Sequence, residues 1–115
     1  MKKKRQTRNK FEKKIERQLK RAKVNFGYET EKISYLIAGH YLPDFVINTD
    51  KGKIYIETKG HFRPEAKRKM VAVKKLHPEL DIRIVFYSYK LKDVKWADKH
   101  NFKYSIGSVP KEWLW

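Results

Sequence analysis

The turn cluster Thr49-Asp50-Lys51-Gly52, with a strand-like run on either side, Leu42 to Asn48 and Lys53 to Lys59, constrains this chain more than any other feature. It predicts a β-hairpin, and a hairpin dictates which side chains meet. With Asn48 paired to Lys53 across a four-residue turn, Asp44 lies opposite Glu57, and a tighter turn centred on Asp50-Lys51 keeps the same register. Directly opposed residues share a face with Cβ atoms about 4.5 to 5.5 Å apart, whereas a one-residue slip sends one of them to the other side. Lys59 stands two residues beyond Glu57, so strand alternation puts its amine on the face of both carboxylates. Phe45, Ile47, Ile54 and Ile56 fall on the opposite, apolar face, which anchors the hairpin.

Two opposed carboxylates repel and weaken a strand pair, so the arrangement calls for a cation or a proton to offset them. Aspartate and glutamate oxygens are hard ligands suited to Mg²⁺ or Mn²⁺. Such an ion keeps several waters and leaves room for a phosphate oxygen and a nucleophile. The carbonyl of Thr58 would add a ligand between them. Lys59 would deprotonate or orient the attacking water, or neutralise charge on a phosphate transition state, and the sequence leaves these roles open. The competing reading is a surface hairpin with an ordinary Glu-Lys pair.

Charge favours the first reading. The chain has 115 residues, with 29 Lys and Arg against 13 Asp and Glu and a formal net charge of +16, more than solubility needs. A polyanion is the expected partner, although a basic binding protein would share that property. Cysteine is absent, which excludes a disulfide framework and a thiolate zinc site. His40, His77 and His100 show no ligand spacing among themselves, and His61, which follows the Glu57-Thr58-Lys59-Gly60 stretch, could contact phosphate or a metal-bound water but reads first as a solvated loop neighbour. Met1-Lys2-Lys3-Lys4-Arg5 is followed by no apolar stretch of signal-peptide type, and no run approaches the roughly 20 apolar residues of a membrane span. A soluble cytoplasmic protein without membrane contact is expected.

Residues 1–8 read as a basic flexible tail and 9–115 as a single domain. Phe11, Ile15, Leu19 and Ala22 recur at helical spacing from about Asn9, and the rest of that helix is basic. Asn25-Phe26-Gly27 interrupts it, Tyr28 to Ile37 reads as a first strand, and Ala38-Gly39-His40 as a turn. After the hairpin, Pro64 opens a second helix through Ala66, Met70, Val73 and Leu76 that ends near His77-Pro78. Asp81 to Tyr89 is the most apolar run and reads as a central strand. A weak helix over Lys92 to Lys99 and a short edge strand over Phe102 to Ser105 follow, and Trp113 and Trp115 are expected to cap the core. The order is α-β-β-β-α-β-α, a mixed α/β sheet flanked by helices. Lys2, Lys3, Lys4, Arg5, Lys13, Arg17, Arg63, Lys67 and Arg68 are the candidate phosphate contacts.

Pro43-Asp44-Phe45 and Glu57-Thr58-Lys59-Gly60, with His77-Pro78-Glu79-Leu80-Asp81-Ile82-Arg83-Ile84-Val85-Phe86, resemble the phage endonuclease I family of Holliday-junction resolvases, within the PD-(D/E)xK nucleases. Phe11 to Leu19 and Val109-Pro110-Lys111-Glu112-Trp113 extend the similarity over nearly the whole chain after residue 8. The resemblance implies a restriction-endonuclease-like core and Mg²⁺-dependent hydrolysis of phosphodiester bonds in branched or four-way DNA. Asp44 and Glu57 would be metal ligands and Lys59 the catalytic amine. Glu12, rather than Glu16 one helical turn on, would be a further ligand or water-positioning group. It also implies a homodimer with exchanged elements. The alternatives are a nuclease acting on nicked, flapped or mismatched duplex, and a non-catalytic nucleic-acid-binding protein on a nuclease-derived fold.

Overall fold

The computed structural model describes residues 9–36 and 39–115, so the expected basic tail, with Lys2, Lys3, Lys4 and Arg5, lies outside the described residues. Helix α1 (Lys10–Ala22) leads to strands β1 (Asn25–Tyr28), β2 (Ile33–Leu36) and β3 (Gly39–Tyr41). The hairpin β4 (Phe45–Thr49) and β5 (Gly52–Lys59) comes next, then α2 (Pro64–Leu76), β6 (Ile82–Phe86), α3 (Leu91–Lys99) and β7 (Lys103–Ile106). A 3₁₀ turn, Lys111–Trp113, follows.

Five strands form one sheet in the order β1-β4-β5-β6-β7, and β2 and β3 pair separately. β1, β4 and β5 are antiparallel neighbours; β5, β6 and β7 run parallel, with α2 and α3 as the crossovers that parallel pairing requires. The hairpin has the predicted register, with Asn48 opposite Lys53 and Phe45 opposite Ile56, and the turn is the tighter one at Asp50-Lys51. Gly52, at φ 124, closes it in a conformation that L side chains rarely adopt.

Each face of the sheet is covered. α1 lays Phe11, Ile15 and Leu19 on Phe45, Ile47, Ile54 and Ile56, and Val109, Trp113 and Leu114 complete that core. Asn9 caps the helix by accepting from Glu12 N at 2.8 Å. Gln18 ties α1 to the chain's last segment, donating to Val109 O at 2.6 Å and accepting from Val109 N at 3.0 Å. On the other face α2 lays Met70 and Val73 over Val46, Tyr55, Ile82 and Ile84. Among the described residues no helix is long and apolar enough to cross a membrane.

Four expectations need correction. The single strand over Tyr28 to Ile37 is two strands, because Glu29 takes the left-handed conformation at φ 50 and ends β1. Asn25-Phe26-Gly27 belongs to β1 rather than interrupting the pattern; a Cβ on Gly27 would collide with the Thr30 side chain, so glycine answers a close approach, not a turn. The order therefore carries three strands, not one, between α1 and the hairpin. β6 stops at Phe86 and lies next to the edge strand, while β5 is central. The terminal tryptophans divide: Trp113 is buried and Trp115 is exposed.

Candidate active site

The carboxylates gather where β4 begins, where β1 and β5 end, and beside the first turn of α1. Asp44 stands one residue before β4, and its Oδ2 accepts from both Thr58 N at 2.8 Å and Thr58 Oγ1 at 2.7 Å. Both bonds fall on one oxygen. Glu57, near the end of β5, accepts from the Tyr41 hydroxyl at 2.8 Å through Oε1 and pairs with Lys59 Nζ at 3.0 Å through Oε2. Glu12 reaches the same end of the sheet from α1, held through Oε1 by the Tyr28 hydroxyl at 2.8 Å.

Glu29 joins this group. Carboxylate oxygens of Glu12, Glu29 and Asp44 lie within 4.8 Å of one another, and Glu29 N donates to Asp44 O at 3.0 Å. Asp44, Glu57 and Glu12 are all buried. Burial first, and then the Glu57 charge, push the Asp44 carboxyl up to about 8 against the opposing pull of the Thr58 bonds, and Glu12 raises it further. Burial also raises Tyr28 and Tyr41 well above the ordinary phenol range, with the adjoining glutamates adding to it, so both remain hydroxyl donors.

An all-oxygen cluster of this kind fits a hard divalent cation. Asp44 shares the cluster with Glu12 and Glu29 and also feels the Glu57 charge. Nothing in the donor set would favour a soft metal.

The structure thus brings together Glu12, Asp44, Glu57, Thr58 and Lys59, and Glu12 rather than Glu16 meets Asp44. The phosphate candidates are scattered. Lys13 and Arg17 are exposed on α1, and Arg63 and Arg68 at the start of α2. Lys67 is held by the buried Asp93 at 3.2 Å and is only 12% exposed.

Sequence reasoning missed Glu29, Tyr28 and Tyr41. The tyrosines carry strand-like signals, and nothing local tells that their hydroxyls reach carboxylates 16 residues away in each case. Glu29 could have been suspected only as a polar residue ending a strand; its left-handed backbone is a property of the fold.

Residues 1–115 match the phage endonuclease I family. Endonuclease I of Escherichia phage T7 is 35% identical over 115 residues, covering 90% of this chain and 75% of that protein. Endodeoxyribonuclease 1 of Enterobacteria phage T3 is 34% identical over 111 residues, covering 87% of this chain and 71% of that protein.

Proposed function

As the chain belongs to the phage endonuclease I family, we propose that it is a divalent-metal-dependent DNA endonuclease that cuts branched DNA, and four-way junctions above all. The observation that carries this reading is the convergence of Glu12, Asp44 and Glu57 with Lys59 at one end of the sheet. The nuclease names of the relatives support the reaction class, and a net charge of +16 supports a nucleic-acid substrate.

Asp44 and Glu57 would hold Mg²⁺ or Mn²⁺ with the Thr58 carbonyl, and Glu12 would add a ligand or position the attacking water. The bound ion would supply Lewis acidity at the scissile phosphate and make a water acidic enough to attack. Thr58 holds Asp44 by its backbone N–H and hydroxyl, and Tyr41 and Tyr28 hold Glu57 and Glu12, so the carboxylates are oriented before substrate arrives. Lys59, ion-paired with Glu57, stands ready to steady charge that builds on the phosphate or to orient the water. A four-way junction has equivalent strands related by two-fold symmetry, so a homodimer, with or without exchanged elements, would present two such sites in matching orientation. A phage enzyme of this type would act in the host cytoplasm.

The test is cleavage of a labelled four-way junction in Mg²⁺, set beside duplex and single-stranded DNA. Paired nicks in the junction are expected, and Asp44→Asn should bind the junction without cutting it. No nicking at any protein concentration would leave a binding protein, and preference for nicked, flapped or mismatched duplex would reassign the substrate.

A further inference from the structure

The apolar run after Asp81 promises a longer strand than the core uses. β6 ends at Phe86, and Tyr87 emerges 61% exposed. Its place is not arbitrary. β5 and β6 are parallel, so the loops at their carboxyl ends form a common rim, the end of an α/β sheet at which ligands bind. Tyr87 N donates to Lys59 O at 2.9 Å, joining it to the strand of the candidate catalytic amine. Its ring meets that of Phe11, the residue before Glu12, at 5.2 Å between centroids and 86° between planes. One tyrosine thus touches both the helix that brings Glu12 and the strand that brings Lys59.

An exposed aromatic ring braced in one orientation has paid little for its exposure in flexibility. The same rim carries cations: Lys59 itself, and Lys90, whose Nζ donates to Gly60 O at 3.2 Å. Behind it, Lys14 donates to Gly107 O at 2.8 Å, and Gly107 N to Phe86 O at 2.7 Å. A held aromatic face among lysines is the chemistry that takes a nucleobase by its π surface and its phosphates by charge.

We propose that Tyr87 is the platform on which a nucleobase next to the scissile phosphate stacks. The inference rests on the endonuclease reading and deepens it. Stacking on Tyr87 requires a base to leave its neighbours, which costs least where the duplex is already interrupted, so the contact selects for branch points. It needs no particular base, because each has a π face.

The experiment places 5-iododeoxyuridine at successive positions flanking the mapped cut in a four-way junction, with Ca²⁺ in place of Mg²⁺, and irradiates the complex. A cross-link on Tyr87 at a position adjoining the cut is expected. Tyr87→Phe should keep that cross-link and cut within about threefold of the parent. Tyr87→Leu, which still packs on Phe11, should lose it together with about 5- to 150-fold in kcat/KM on the junction. No cross-link to Tyr87 from any position, or parent-like cutting by Tyr87→Leu, would overturn the proposal. So would a Tyr87→Leu protein of altered oligomeric state, which would assign this face to a second copy of the chain. If the parent itself cut no branched DNA, the endonuclease reading would fall first.

Discussion

Asp44 and Asp93 are both buried carboxylates, 8% and 5% exposed, and their surroundings differ in kind. Asp93, in the first turn of α3, has its own cation in Lys67, which reaches across from α2 at 3.2 Å. Asp44 has neutral donors in Thr58 and carboxylates for other neighbours. A buried charge with a built-in partner ties two helices together, whereas a buried charge facing its own kind is tolerable only as an acid or with an ion brought from solution. The first arrangement serves the fold and the second serves chemistry.

Substitutions can break this contrast. The largest effect should come from Asp44→Asn, with cleavage reduced on the order of 1,000-fold or more while the metal-free protein melts no lower than the parent, because the amide keeps an oxygen for the Thr58 donors and needs no proton to stay neutral. Single-turnover cleavage and thermal denaturation read the two halves of that expectation; a large fall in melting temperature would refute it. Asp93→Asn should do the reverse. It leaves the largely covered Lys67 without its counter-charge, costing about 2 kcal/mol by urea unfolding, and leaves the cleavage rate of the folded protein near the parent's.

Titration sharpens the same comparison. The Asp44 carboxyl is raised from 3.8 to about 8, so the folded chain binds that proton more tightly than the unfolded chain. Its contribution to stability is complete below the unfolded value and is lost as pH rises through about 8. Without metal, melting temperature should fall across this window, and Mg²⁺ should reverse the fall at the alkaline end; Asp44→Asn should flatten the trend. Cleavage should rise over the same range as the metal displaces the proton. The smallest effect is expected from Tyr41→Phe, which removes the hydroxyl bond to Glu57 and should weaken Mg²⁺ affinity about 10-fold, measurable by calorimetry.

Much of this was legible in local pattern. The hairpin register followed from its turn, since alternation leaves one choice that buries Phe45, Ile47, Ile54 and Ile56 together. α1 and α2 showed themselves by apolar spacing, and the family motifs pointed to Glu12, Asp44, Glu57 and Lys59. The region between α1 and the hairpin did not yield to the same reading. Its strands are short, and the break at Glu29 depends on a backbone angle that the residue type disfavours. The expected apolar-versus-reactive division of the hairpin was also too simple: Val46 and Tyr55, on the side of Asp44 and Glu57, are buried under α2, and polar groups take over only at the end of the sheet.

The sequence alone determined the strongly basic balance, the hairpin with its register and the two longer helices. Each of these depends on residue type and short-range periodicity. Only the tertiary structure decided that Glu12 and Glu29 close on Asp44, that Tyr28 and Tyr41 hold the glutamates, and that Tyr87 stands on the rim beside Lys59. Those contacts join residues far apart along the chain, and burial turns their nearness into the shifted acidity of Asp44, a property that no single stretch of sequence possesses.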